Sequence, residues 1–130
     1  MIGYVTVGSN DLEKARNFYD NLMPTLGAGR MLEFGDNFTM YGTGMGHPGL
    51  AVCKPYNGDA ASVGNGNMTA IACDTRAKVD AFYSKAMELG ATDEGPPGVR
   101  GEECDSAFYG AYFRDLDGNK LCAFRIGPAD

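Results

Sequence analysis

Four cysteines, at positions 53, 73, 104 and 122, and a single histidine, His47, are the side chains in this chain best suited to soft-metal ligation or nucleophilic attack. The cysteines form no C-x-x-C pair, and their spacings match no zinc pattern. Cys53, Cys73 and Cys122 stand within apolar, strand-like runs. That is the setting of small buried hydrophobes in a reducing cytosol. Cys104 lies in a Gly/Pro-rich segment and is the thiol expected to be exposed. A cysteine nucleophile needs a base beside it. The one histidine sits in the turn Gly-Met-Gly-His-Pro-Gly, where a surface or capping role is expected. Two basic residues occupy unusual places: Lys54 ends an apolar run just before Pro55, and Arg100 sits in Gly98-Val99-Arg100-Gly101. Either could hold a carboxylate or phosphate of a ligand. The plainer reading of both is a solvated charge.

The elements that must position these groups follow from hydrophobic period and turn chemistry. Gly3–Gly8 reads as a short strand. Ser9, Asn10 and Asp11 then supply helix-start oxygens, and Leu12, Ala15, Phe18, Tyr19 and Leu22 recur at helical spacing. Pro24 and Gly27 end the helix near Met23. Strands are expected at 30–34, 37–41 and 49–55. Residues 56–67 are polar and Gly-rich, a natural seam. The cycle restarts with a strand at 68–73, caps at Asp74 and Thr75, and a helix marked by Val79, Phe82, Tyr83, Ala86 and Leu89. Strands at 107–114 and 120–125 follow, joined by Asp115-Leu116-Asp117-Gly118-Asn119. Residues 91–106 read as a long irregular connection, a candidate lid.

A shift of 64 lays Ala15-Arg16-Asn17-Phe18-Tyr19 on Val79-Asp80-Ala81-Phe82-Tyr83, Asn10 on Asp74 and Val7 on Ile71. After Pro24 a shift of 63 lays Leu26-Gly27-Ala28 on Leu89-Gly90-Ala91. The chain is therefore read as one α+β domain, residues 1–130, of two tandem β-α-β-β-β modules, 1–57 and 66–128. One such unit cannot cover both faces of its sheet. Two together give eight strands around a U-shaped cavity with a helix outside each sheet. Alternation along the strands sends Tyr4 and Thr6, and Met68, Ala70 and Ala72, toward the concavity. Phe108, Gly110 and Tyr112 share one face, and Phe124 shares the face of Cys122. Met40 and Tyr41 alternate, so one of them faces inward.

The bulk properties set limits on partners. A net charge of −6 argues against nucleic acid, whose phosphates call for Lys and Arg. No run of about 18 apolar residues spans a membrane. The opening Met-Ile-Gly-Tyr-Val-Thr-Val lacks the charged start and cleavage site of a secretory signal and reads as a strand. A cytoplasmic protein is expected.

The strand–Asn-Asp-Leu–helix opening with Phe18-Tyr19, the Asp-x-Asp-Gly-Asn turn at 115–119 and the duplicated module together resemble the glyoxalase/bleomycin-resistance/extradiol-dioxygenase superfamily, the vicinal oxygen chelate proteins. Leu116 stands where that family's turn has proline. The resemblance covers essentially the whole chain. It implies fold more strongly than reaction, because the family includes lyases, dioxygenases and drug binders. Metal-dependent members hold one divalent ion with a His from the first strand of each module and a Glu from the last strand, some adding a Glu from the first module. Carried over, these positions fall on Tyr4, Met68 and Cys122, with the first-module Glu near Val52 or Cys53. No family ligand type stands at any of them. Tyr112 falls where some thiol transferases of the family place a substrate-contacting tyrosine. Glu33, Glu102 and Glu103 could lend a carboxylate only from loops folded inward.

The expected cavity residues are thus Tyr4, Met68, Tyr112, Cys122, Phe124, Arg100 and Lys54, with no metal ligands assigned. The expected function is small-molecule binding with no cofactor, in a homodimer, as family members often form. The alternatives are a metal-dependent lyase or dioxygenase with non-standard ligands, and a metal-free enzyme using tyrosine or Cys122.

Overall fold

A computed structural model describes residues 1–130. The first module runs β1 (Tyr4–Gly8), α1 (Leu12–Leu22), β2 (Gly29–Phe34), β3 (Phe38–Gly42) and β4 (Gly49–Cys53), with a 3₁₀ turn at Met23–Leu26 after α1. The second runs β5 (Thr69–Ala72), α2 (Arg76–Glu88), β6 (Thr92–Arg100), β7 (Phe108–Arg114) and β8 (Lys120–Ile126). Each module contributes a four-stranded sheet, in the orders β1-β4-β3-β2 and β5-β8-β7-β6. In each, the first strand pairs parallel to the last and the other pairings are antiparallel. The strand order itself therefore repeats.

Both helices begin on the residues whose side chains can cap them. Asp11 accepts the amide N–H of Lys14, and Thr75 accepts that of Lys78, each satisfying an otherwise orphaned donor. The stripe Leu12, Ala15, Phe18, Tyr19 and Leu22 is buried, as are Val79, Phe82 and Ala86 on α2. These faces merge with Val7, Leu50 and Val52 of the first sheet and Ala111, Phe113, Leu121 and Ala123 of the second into one core. Each large side chain buried there contributes roughly 1.5–3 kcal/mol.

The Asp-x-Asp-Gly-Asn turn locks onto the other module. Asp115 accepts from the amides of Asp117 and Asn119, both at 2.9 Å, which closes the loop on itself. Its other oxygen accepts the Tyr19 hydroxyl at 2.6 Å. The Asn119 side-chain amide donates to the Gly8 carbonyl at 2.8 Å, and the Asn10 amide donates to Asp117 at 2.9 Å.

One sequence expectation is corrected. Residues 91–106 are not an irregular lid, because nine of them form β6, paired along its length with β7. Its register shifts between Asp93 and Gly95 and again between Gly95 and Gly98. Gly95 takes the first irregularity at a φ of 149°, a backbone region that side chains disfavour. Bulges break period-2 alternation, and so a Gly/Pro-rich strand looks like a loop in sequence.

Candidate functional site

The concave face of the first sheet is built from alternate residues of β1, β3 and β4. Tyr41 points the other way: its hydroxyl donates to Asp20 of α1 at 2.9 Å, which leaves Met40 on the concave side. Tyr4 meets Phe38 edge-on at 6.1 Å, and Phe38 meets Phe34 at 5.5 Å. Tyr4, Thr6, Phe38, Cys53 and Lys54 line an open basin of about 1170 Å³, walled on one side by the linker at Asn57 and Asp59. Tyr4 is exposed in it, and so is Lys54. Burial pushes the Cys53 thiol up, against a weaker opposing hydrogen bond with Thr6.

The concave face of the second sheet has a different chemistry. Across β7 and β8, Tyr112 stands opposite Cys122, Gly110 opposite Phe124, and Phe108 opposite Ile126. Gly110 leaves room for the Phe108 ring, since a Cβ there would meet Phe108 Cε1 at 2.6 Å. That ring stacks on Phe124, centroids 5.4 Å apart and planes within 6°. The Arg100 guanidinium lies 5.4 Å from the centre of the Tyr112 ring, and the Lys120 ammonium lies 5.7 Å from the same centre. Cys122 is fully buried. Burial raises its thiol pKa, and the Tyr112 hydrogen bond and the charges of Arg100 and Lys120 offset this only in part. Tyr112 is likewise raised, first by burial and then by Cys122. Neither group is prepared as a nucleophile, which would require the opposite shift.

Strand register locates the positions where the resemblance implies metal ligands. β1 pairs Thr6 with Ala51, and β5 pairs Ala70 with Cys122. Thr6 and Ala70 correspond under the shift of 64. The first-module counterpart of Cys122 is therefore Ala51, not Val52 or Cys53. Val52 points into the core. The four positions then carry a phenol, a methyl, a thioether and a buried thiol of raised pKa. This donor set does not fit a hard octahedral divalent ion, which takes carboxylate and imidazole ligands. No three His, Cys, Asp or Glu side chains converge on a point where an ion could sit. Glu33 pairs with Arg30 at 2.8 Å and Glu103 pairs with Arg76, so both are held at those ion pairs.

The expected cavity residues are thereby divided into groups. Tyr4 and Lys54 share the first-sheet basin. Tyr112, Cys122 and Arg100 meet on the second sheet, with Phe124 one step along β8. Met68 lies between the two, beside Thr6 of the first face and Lys120 of the second. It lines a hollow of about 430 Å³ with Thr6, Asn119 and Lys120, under linker residues 62–67, and also an apolar groove of about 680 Å³ with Ile2, Val5 and Leu26. His47 is exposed at the rim of that groove. Two residues of the second face escaped the sequence reading, Lys120 and the stacking role of Phe108. Alternation along β8 carried the signal for Lys120, which precedes Cys122 and Phe124 on the same side.

The sequence model described as Glyoxalase/Bleomycin resistance protein/Dioxygenase superfamily matches residues 1–123. A solved glyoxalase/bleomycin resistance protein from Albidiferax ferrireducens T118 is 36% identical with a TM-score of 0.84, the match covering 96% of this chain and 98% of that one. A glyoxalase-related enzyme from Fulvimarina pelagi is 18% identical with a TM-score of 0.70, covering 96% and 87%. Lactoylglutathione lyase from Agrobacterium tumefaciens is 20% identical with a TM-score of 0.64, covering 96% and 92%. The last two show likeness of fold alone. No curated protein matches the sequence.

Proposed function

The chain belongs to the glyoxalase/bleomycin resistance protein/dioxygenase superfamily, and from that membership we propose that it binds a small molecule in its concave faces without the divalent ion of metal-dependent relatives. The observation that carries the reading is the donor set. Tyr4, Ala51, Met68 and Cys122 stand where imidazoles and carboxylates would be needed. What the faces offer instead is aromatic surface, with Tyr4, Phe38, Phe108, Tyr112 and Phe124 presented to solvent or partly so. That is the lining of a pocket that recognises a ligand by shape and a few polar contacts.

The protein acts as a cytoplasmic homodimer in this reading. Four free thiols suit a reducing compartment. No helix is long and apolar enough to cross a membrane. Exposed Ile2, Met45 and Met68 are apolar surface that a second copy would cover. Light scattering on a sizing column checks the dimer, and a monomer at working concentration would remove that part of the reading.

Elemental analysis tests the central part. Protein purified from cells supplied with nickel, zinc, iron and manganese should carry far less than one ion per chain. A stoichiometric ion that disappears in Cys122→Ala would overturn the reading in favour of a lyase or dioxygenase with non-standard ligands. Turnover of a substrate by the metal-free protein would instead establish an enzyme using tyrosine or Cys122.

A further inference from the structure

We propose that the concave face of the second sheet binds a carboxylate with a flat, apolar body, Arg100 and Lys120 holding the anion and the Phe108–Phe124 pair taking the body. The inference rests on the small-molecule reading above and adds the ligand's chemical class.

Arg100 is a seated side chain. Its two terminal nitrogens donate to the carbonyls of Gly98 at 2.9 Å and Pro96 at 2.7 Å, which folds the guanidinium back along β6 and over Tyr112. The backbone makes room for it. A Cβ on Gly95 would come within 3.2 Å of Arg100 Nη2, and one on Gly98 within 3.1 Å of Nη1. Both bulge glycines therefore sit under this one side chain. Each terminal nitrogen keeps a second hydrogen, and Nε keeps its own, so the fork can still donate to a planar anion.

Neither cation on the Tyr112 ring has an acidic partner. The two carboxylates of β6 are engaged: Asp93 accepts from the Tyr83 hydroxyl and the Gly95 amide, both at 2.8 Å, and Glu94 pairs with Arg114 at 2.6 Å. Elsewhere in this module Arg76, Lys78 and Lys85 each hold a carboxylate. In a chain of 17 acidic and 11 basic residues, two unpaired cations sharing one aromatic ring make a local site for negative charge.

The rest of the face determines the body. One two-residue step along β8 separates Cys122 from Phe124, about 6.7 Å at strand spacing. A carboxylate held at Arg100 and Lys120 thus places a directly attached ring system beside the Phe108–Phe124 stack. Ala70 and Ala72, opposite Cys122 and Phe124 on β5, are too small to obstruct it.

The test titrates the isotopically labelled full chain with 2-naphthoate, its neutral counterpart 2-naphthalenemethanol, and inorganic phosphate, following backbone amides by NMR. Naphthoate is expected to shift Gly95, Gly98, Gly110 and Cys122, and to bind roughly tenfold or more tighter than the alcohol, the range for losing a charge-assisted contact. Arg100→Leu and Lys120→Met should each weaken naphthoate by a similar factor, while Lys85→Met on α2 should not. If the alcohol binds the second sheet as tightly, or naphthoate shifts only the first sheet, the ligand class is wrong and the small-molecule reading survives. Phosphate binding as tight as naphthoate overturns the apolar body. If no probe perturbs either concave face, both the class and the reading fall.

Discussion

Arg100 and Lys120 matter because they lack carboxylate partners, and the role of Asp20 follows from the partners it has. Asp20 accepts both nitrogens of an Arg30 fork, at 2.7 and 2.8 Å, and the Tyr41 hydroxyl. Arg30 first, and Tyr41 with it, hold the carboxyl below its ordinary value of 3.8. A carboxyl lowered in the folded state stabilises it fully above the unfolded pKa and loses that contribution as pH falls through the folded one. Asp20→Asn should therefore lower the urea midpoint at neutral pH, and the gap to wild type should shrink as the pH drops below 3.8. A gap constant with pH would assign the effect to packing. At this scale alternation gave the face of Tyr4 and Thr6 directly, while Cys122 was placed through the resemblance. Alternation failed for Met40 and Tyr41, since two adjacent apolar residues carry no parity until Tyr41 finds Asp20 across the sheet.

Among the elements, β6 is where sequence and structure part. The strands that follow it, β7 and β8, announce themselves as short runs dense in aromatic and aliphatic residues. Thr92–Arg100 instead carries two glycines and two prolines, and its bulges disrupt the period that would reveal a strand. The two glycines separate stability from binding. Gly95 has a φ of 149°, and a Cβ added there would meet both Arg100 and Tyr112 at 3.2 Å. Gly95→Ala should cost about 1–3 kcal/mol in chemical denaturation. Gly98 has no such backbone constraint, and its added Cβ would meet only the flexible end of Arg100. Gly98→Ala should leave the denaturation midpoint within about 0.5 kcal/mol of wild type, yet displace Arg100 and weaken naphthoate. Equal effects of the two variants on stability would contradict the assignment of Gly98 to seating Arg100.

For the whole molecule the duplication explains most of what is seen. The shift of 64 pointed to a repeated unit with one helix in each half, and the strand orders repeat accordingly. It could not foretell how the modules are joined, because that rests on contacts between residues nearly a hundred positions apart. The buried Tyr19 hydroxyl on Asp115 is one of them. Burial and the neighbouring Asp115 carboxylate keep Tyr19 protonated, so it remains a donor throughout the useful pH range. Tyr19→Phe should destabilise the fold by about 1–3 kcal/mol in urea denaturation, because it removes the shorter of two hydrogen bonds to a buried carboxylate oxygen and leaves only that from the Asn119 amide. The same duplication aligns Tyr4 with Met68, and strand register aligns Ala51 with Cys122, so at the positions the resemblance implies neither module carries an imidazole or a carboxylate. Calorimetric titration of 2-naphthoate in chelator, and again with added zinc or manganese, tests that conclusion most directly. The dissociation constant should be the same in all three solutions. Binding that appears only with metal and vanishes in Cys122→Ala would contradict it.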